Sequence, residues 1–205
     1  VRDHYRVGTD RFVQGDTRRL EREARDTPIT TGATLREIVQ EWTLRSAQAE
    51  LGSLFNNAKV LFLSGTLNYR LAAILAECTA NLSFADPIVQ FGLPNLLHTL
   101  DALERYAAGS HPILRMSRGE TRVPSLVPFR FFNHFLLRRA VRDAHVVVAL
   151  YDQLRHYGRD ELDGKTVITS TVSAERRAAL AEKGVRLVLD CSIQPFAETD
   201  RKSVV

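Results

Sequence analysis

Apolar positions in this chain follow two patterns. From residue 60 onward, short unbroken apolar runs alternate with longer stretches in which apolar residues recur every three or four positions. Runs of the first kind read as strands buried on both faces, and stretches of the second kind as helices with one apolar side. The pattern predicts strands over residues 60–63, 82–85, 145–150, 166–169 and 186–190. It predicts helices over 67–80, with Leu71, Ile74 and Leu75 on one face, and over 95–108, 129–143 and 174–183, the last stopped by Gly184. Strands alternating with helices imply a parallel sheet. Right-handed crossovers then give a Rossmann-like, doubly wound α/β domain.

The first 56 residues are patterned differently. Tyr5, Arg6 and Val7 read as a short edge strand, residues 17–25 as a highly charged helix and residues 29–31 as extended chain. A longer helix is expected over 34–51, with Leu35, Ile38, Val39 and Trp42 forming one buried stripe. The expected organisation is a partial, helix-rich N-terminal segment over 1–56, a Rossmann-like domain over 57–197 and a frayed tail over 198–205.

The charge balance narrows the partners only a little. A formal net charge of +4 suits a phosphate-bearing small ligand or an anionic partner without requiring nucleic acid. Cys78 and Cys191 have no CxxC spacing and read as reduced thiols, which points to the cytoplasm. No apolar run approaches the roughly 18 residues of a membrane span, so no membrane partner is expected. No signal peptide is visible. The chain opens on Val1 rather than methionine, so residues ahead of it are expected.

Ligands of open parallel sheets sit beyond the carboxyl ends of the strands. After the first expected strand come Ser64, Gly65 and Thr66, a small-residue turn ahead of a helix whose backbone N–H groups suit an anion. Ser64 or Thr66 could equally cap that helix. Asp86 follows the second strand, 21 residues after Gly65, close to the spacing of about 20 at which an acid takes a ribose hydroxyl. An acceptor-only group there favours NAD over NADP, although Asp86-Pro87 is also an ordinary turn starter. The turn has one glycine where a dinucleotide fingerprint has several. Asp152 follows the most apolar strand. Thr169, Ser170 and Thr171 offer hydroxyls, and Ser173 reads as a helix N-cap.

Residues 109–142 contain seven arginines and one acid, Glu120, with Phe129, Phe131, Phe132 and Phe135 interleaved. Such a mixture can bind single-stranded nucleic acid. The expected arrangement is a helix with its aromatics buried and its arginines wet, so nucleic acid is not an expected partner. The histidines show no HExxH-type spacing, and there is no GxSxG elbow.

The order of segments resembles a family known as quinate 5-dehydrogenase-like and, more distantly, the shikimate/quinate dehydrogenase architecture. The residues that carry the resemblance are Thr27-Pro28-Ile29 with Gly32, Lys59 to Ser64, Phe84 to Ile88, Phe91 to Pro94, Leu162 to Val172, and Asp152 by position. The resemblance implies a substrate-side N-terminal domain joined to a Rossmann-like domain. It also implies NAD-linked oxidation of a small polyol or hydroxy acid. In that reading Ser64, Gly65, Thr66 and Asp86 hold NAD, Asp152 and Thr171 border the reacting end, and Thr31 and Arg36 contact a small-molecule substrate. Two features depart from that family: no lysine occurs in residues 1–56, where a Lys/Asp pair is expected, and the glycine-rich turn is reduced. These departures favour the alternative, a non-catalytic Rossmann-like module that senses a nucleotide or binds partners. Self-association is left open.

Overall fold

Val60-Leu61-Phe62 and Val146-Val147-Val148 offer no polar position to water, so they form the two central strands, β3 (Val60–Phe62) and β5 (Val146–Val148), buried at every residue. The structure, a computed structural model, describes residues 4–8, 10–13, 23, 33–116, 130–157, 161–170 and 172–192. Around the central pair, β4 (Leu82–Phe84), β6 (Thr166–Thr169) and β7 (Leu187–Asp190) complete a five-stranded, all-parallel sheet in the order β4-β3-β5-β6-β7. A hairpin, β1 (His4–Val7) with β2 (Asp10–Val13), precedes it. The hairpin turns at left-handed Gly8 and seats Val7 against Ala107 and Tyr69.

Seven helices lie among the described residues: α1 (Ala33–Glu50), α2 (Tyr69–Ala76), α3 (Asp86–Phe91), α4 (Leu100–Met116), α5 (Arg130–Asp143), α6 (Tyr151–Tyr157) and α7 (Ala174–Glu182). Strand side chains alternate between the faces. Val60, Phe62, Val146, Val148 and Ile168 meet Leu44 and Ala47 of α1, Leu71 and Leu75 of α2, and Leu103 of α4. Leu61, Leu63, Val147 and Val167 meet Leu137 and Val141 of α5, Leu154 of α6 and Leu180 of α7. Helices therefore cover both faces of the sheet.

Helix α1 contributes Leu44 and Ala47 to the same core as the sheet. Two expectations need correction. First, the buried stripe of α1 is Gln40, Leu44 and Ala47, while Leu35, Ile38 and Trp42 are exposed and Val39 is half-buried. Second, the aromatics of α5 do not face inward. Its buried stripe is Asn133, Leu137 and Val141, and Phe131, Phe132 and Phe135 are exposed. Asn133 Nδ2 donates to the carbonyl of Gly92, the left-handed residue that ends α3. Leu137, Val141 and Ala144 pack with Leu61, Leu63, Val147 and Val167, which places this face of the helix against the sheet. Leu137→Ala is thus expected to cost about 3 kcal/mol in chemical denaturation, whereas Phe131→Ala stays within about 0.5 kcal/mol of the parent.

The short helices α3 and α6 were not expected. Pro87 sits in the first turn of α3, where its missing N–H is harmless. The expected cap at Ser173 is present, accepting the Arg176 N–H at 3.3 Å. The charged helix over 17–25, the extended chain over 29–31 and the tail over 198–205 lie outside the described residues, residue 23 excepted.

Candidate functional site at the carboxyl end of the sheet

The turn after β3 is built by close packing. Phe62 and Phe84, the last residues of β3 and β4 and partners in register, stack with ring centroids 5.1 Å apart. Gly65 then passes over Phe84 so closely that a Cβ at this position would meet Phe84 Cδ1 at 2.4 Å and Asp86 Oδ2 at 3.1 Å. Ser64, Gly65 and Thr66 are all buried.

Asp86 comes to the same place from β4 and is wholly buried. Its Oδ2 accepts the Gly65 N–H at 2.7 Å, and its Oδ1 accepts the Thr66 N–H at 3.0 Å and the Thr66 hydroxyl at 2.7 Å. Gln90, one helical turn along α3, donates to Asp86 Oδ1 at 3.3 Å and to Thr66 Oγ1 at 3.2 Å. Tyr106 of α4 in turn donates to Gln90 Oε1 at 2.9 Å. Burial pushes the Asp86 carboxyl above its ordinary range, against the opposing pull of the Thr66 and Gly65 hydrogen bonds. The amides that the sequence assigned to a phosphate are thus satisfied by the chain's own carboxylate, and that carboxylate faces the turn.

The remaining predicted residues are more dispersed. Neither Ser64 nor Thr66 caps α2, whose N-cap is Asn68. Asn68 Nδ2 donates back to the Ser64 carbonyl at 2.8 Å. The Ser64 hydroxyl accepts from Gln153 Nε2 at 2.6 Å, and Gln153 Oε1 accepts the Leu150 N–H at 3.3 Å. Gln153 therefore ties the end of β3 to the end of β5, the point where strand order reverses. Asp152, beside it in the first turn of α6, is exposed. Arg36 is half-buried in the first turns of α1, and among the described residues no hydrogen bond or ion pair joins it to the turn. Thr31 and Thr171 lie outside the described residues.

Residues 34–203 match a family described as a domain of unknown function (DUF8754). The chain belongs to the DUF8754 family. No curated protein and no solved structure matches it. The DUF8754 span takes in α1 almost from its first turn, in keeping with the contribution of that helix to the core. Within the DUF8754 domain, sequence reasoning missed Gln90, Tyr106 and Gln153. A signal for Gln90 existed, since it lies four residues after Asp86, but it required recognising α3 as a helix.

A groove of about 410 Å³ opens at the other end of the sheet, lined by Lys59, Asn81, Leu82, Ser83, His98 and Arg139 among others. It lies at the amino ends of β3 and β4, across the domain from the Asp86 turn. Among the described residues no group of three or more His, Cys, Asp or Glu could hold a metal ion, and no helix is long and apolar enough to cross a membrane.

Proposed function

We propose that this DUF8754 domain is a Rossmann-like module that does not carry a dinucleotide on its first turn and acts through partner binding rather than NAD-linked chemistry. One observation carries the reading: the buried Asp86 carboxylate occupies the Gly65 and Thr66 amides that a cofactor phosphate would need. An incoming pyrophosphate would have to expel an anion already hydrogen-bonded inside the protein. The sheet order, with its switch point between β3 and β5, supports kinship with doubly wound nucleotide folds, but fold does not set function. Three arginines of α5, Arg138, Arg139 and Arg142, lie near acids. Glu161 takes Arg138 at 2.8 Å and Arg142 at 3.4 Å, and Asp143 lies 3.8 Å from Arg139. This pairing weighs against a nucleic-acid surface on that helix.

The second reading keeps the NAD-linked oxidoreductase of quinate/shikimate type acting on a small polyol or hydroxy acid. It is favoured by the exposed Asp152 beside the Ser64–Gln153 contact at the switch point, where a reacting substrate would sit. Calorimetric titration of the full chain with NAD, NADP and S-adenosylmethionine separates the two. No binding heat is expected from any of the three. Saturable NAD binding, lost in Asp152→Ala together with any polyol oxidation, would replace the first reading with the second.

A further inference from the structure

The groove at the amino ends of β3 and β4 joins an apolar lining to a cation that the fold leaves unused. Leu82, Leu96, Leu136 and Ala140 supply much of the apolar lining, with Leu96 and Leu136 only half-buried. Its volume of about 410 Å³ is that of a small-molecule pocket. Three formally charged side chains line it, Lys59, Arg139 and Asp143. Arg139 and Asp143 lie 3.8 Å apart and offset each other. Lys59 has no such counterpart. Its backbone is held on both sides: its N–H donates to His145 Nδ1 at 3.2 Å, and its carbonyl accepts the His145 N–H at 2.8 Å and the Val146 N–H at 3.1 Å. Among the described residues its ammonium makes no ion pair and no hydrogen bond. His98 lines the same groove, with Nδ1 held 3.2 Å from Ser83 Oγ. Among the described residues no hydrogen bond reaches its other ring nitrogen.

We propose that this groove binds a small organic carboxylate with an apolar body. The carboxylate meets Lys59, the body lies against Leu96 and Leu136, and His98 offers a second polar contact in the same lining. A single negative charge matches the single cation left uncompensated. A phosphate monoester carries about −1.5 to −2 at neutral pH and would bring surplus negative charge into a groove that already holds Asp143. A neutral molecule would leave the Lys59 charge unmet, and a cation would meet it as its like. The proposal does not rest on the closed turn, because the groove and the Asp86 cluster lie at opposite ends of the sheet.

The test is an amide NMR titration of the full chain with phenylbutyrate, phenylbutanol and inorganic phosphate. Phenylbutyrate is expected to bind saturably, shifting the amides of Ser83, His98 and Leu136 and leaving those of Gly65 and Thr66 unmoved. At low salt it should bind about fivefold more tightly than phenylbutanol, and added salt should shrink that margin. Lys59→Gln should weaken phenylbutyrate by about fivefold, whereas Lys59→Arg should keep it. Lys59 is exposed, so these variants leave the core untouched, and the dispersion of each spectrum checks the fold. Asp143→Asn, which removes the only carboxylate lining the groove, should tighten binding by about twofold. Absence of saturable phenylbutyrate binding overturns the proposal. So does equal affinity for phenylbutanol, tighter binding of inorganic phosphate by the same residues, an affinity unchanged in Lys59→Gln, or shifts confined to the Gly65-Thr66 turn.

Discussion

Asp86→Ala is expected to lower the unfolding free energy by about 3 kcal/mol or more, because it strands two buried amides and the Thr66 hydroxyl. An orphaned buried donor costs about 1–3 kcal/mol, and no solvent reaches this one as a substitute. Asp86→Asn should rescue little, since its –NH2 would face an N–H donor. The pH dependence has a definite sign. Burial raises the folded-state pKa of Asp86 above its unfolded value. The folded state therefore holds the proton more tightly, and this stabilising contribution is fully present below the unfolded value of about 3.8. It declines as pH rises through the folded pKa and is flat beyond it. Urea titrations of parent and Asp86→Ala across acidic pH should show the difference in stability shrinking as pH rises. A difference that grows with pH would mean that the amide hydrogen bonds outweigh desolvation. A loss below about 1 kcal/mol at neutral pH would remove Asp86 as the closure of the turn.

Gly65→Ala is expected to be comparably damaging for a different reason. Gly65 is not among the left-handed glycines, so its backbone would accept a side chain. The obstacle is space. The added methyl would lie 2.4 Å from Phe84 Cδ1, on a ring that is fully buried and stacked on Phe62. Overpacking of this kind costs about 1–3 kcal/mol, and a rigid neighbour puts this case at the upper end. At this chain length that lowers the melting temperature by about 6–10 °C. Phe84→Leu in the same chain should recover part of the loss, with a coupling of at least about 1 kcal/mol between the two substitutions. Strict additivity would mean that the two residues do not compete for the same space. In a dinucleotide site, a glycine here lets a pyrophosphate approach the backbone. Here the same clearance is taken by Phe84 and Asp86.

The sequence by itself determined the five parallel strands and the four longer helices from residue 60 onward, because that information is local; the short helices α3 and α6 escaped it. The Val146-Val147-Val148 run has no polar face and must be central, Thr166–Thr169 matches its strand end to end, and Ser173 caps its helix through a neighbour three residues away. The spacing between Gly65 and Asp86 likewise marked two residues that meet, although they are 21 apart. Tertiary structure alone decided which way Asp86 faces. The parallel pairing of β3 with β4, Phe62 beside Phe84, brings the ends of the two strands together, and Asp86 meets the Gly65 and Thr66 amides there. Tertiary structure also decided which side of α1 and of α5 turns inward. Each helix has two apolar arcs, Leu44–Ala47 against Leu35–Ile38–Trp42, and Leu137–Val141 against Phe131–Phe132–Phe135. Hydrophobicity ranks the aromatic arc of α5 higher. Burial instead follows the arc that packs on the sheet, where Leu137 and Val141 share a core with Leu61, Leu63, Val147 and Val167, contacts between residues far apart in the chain.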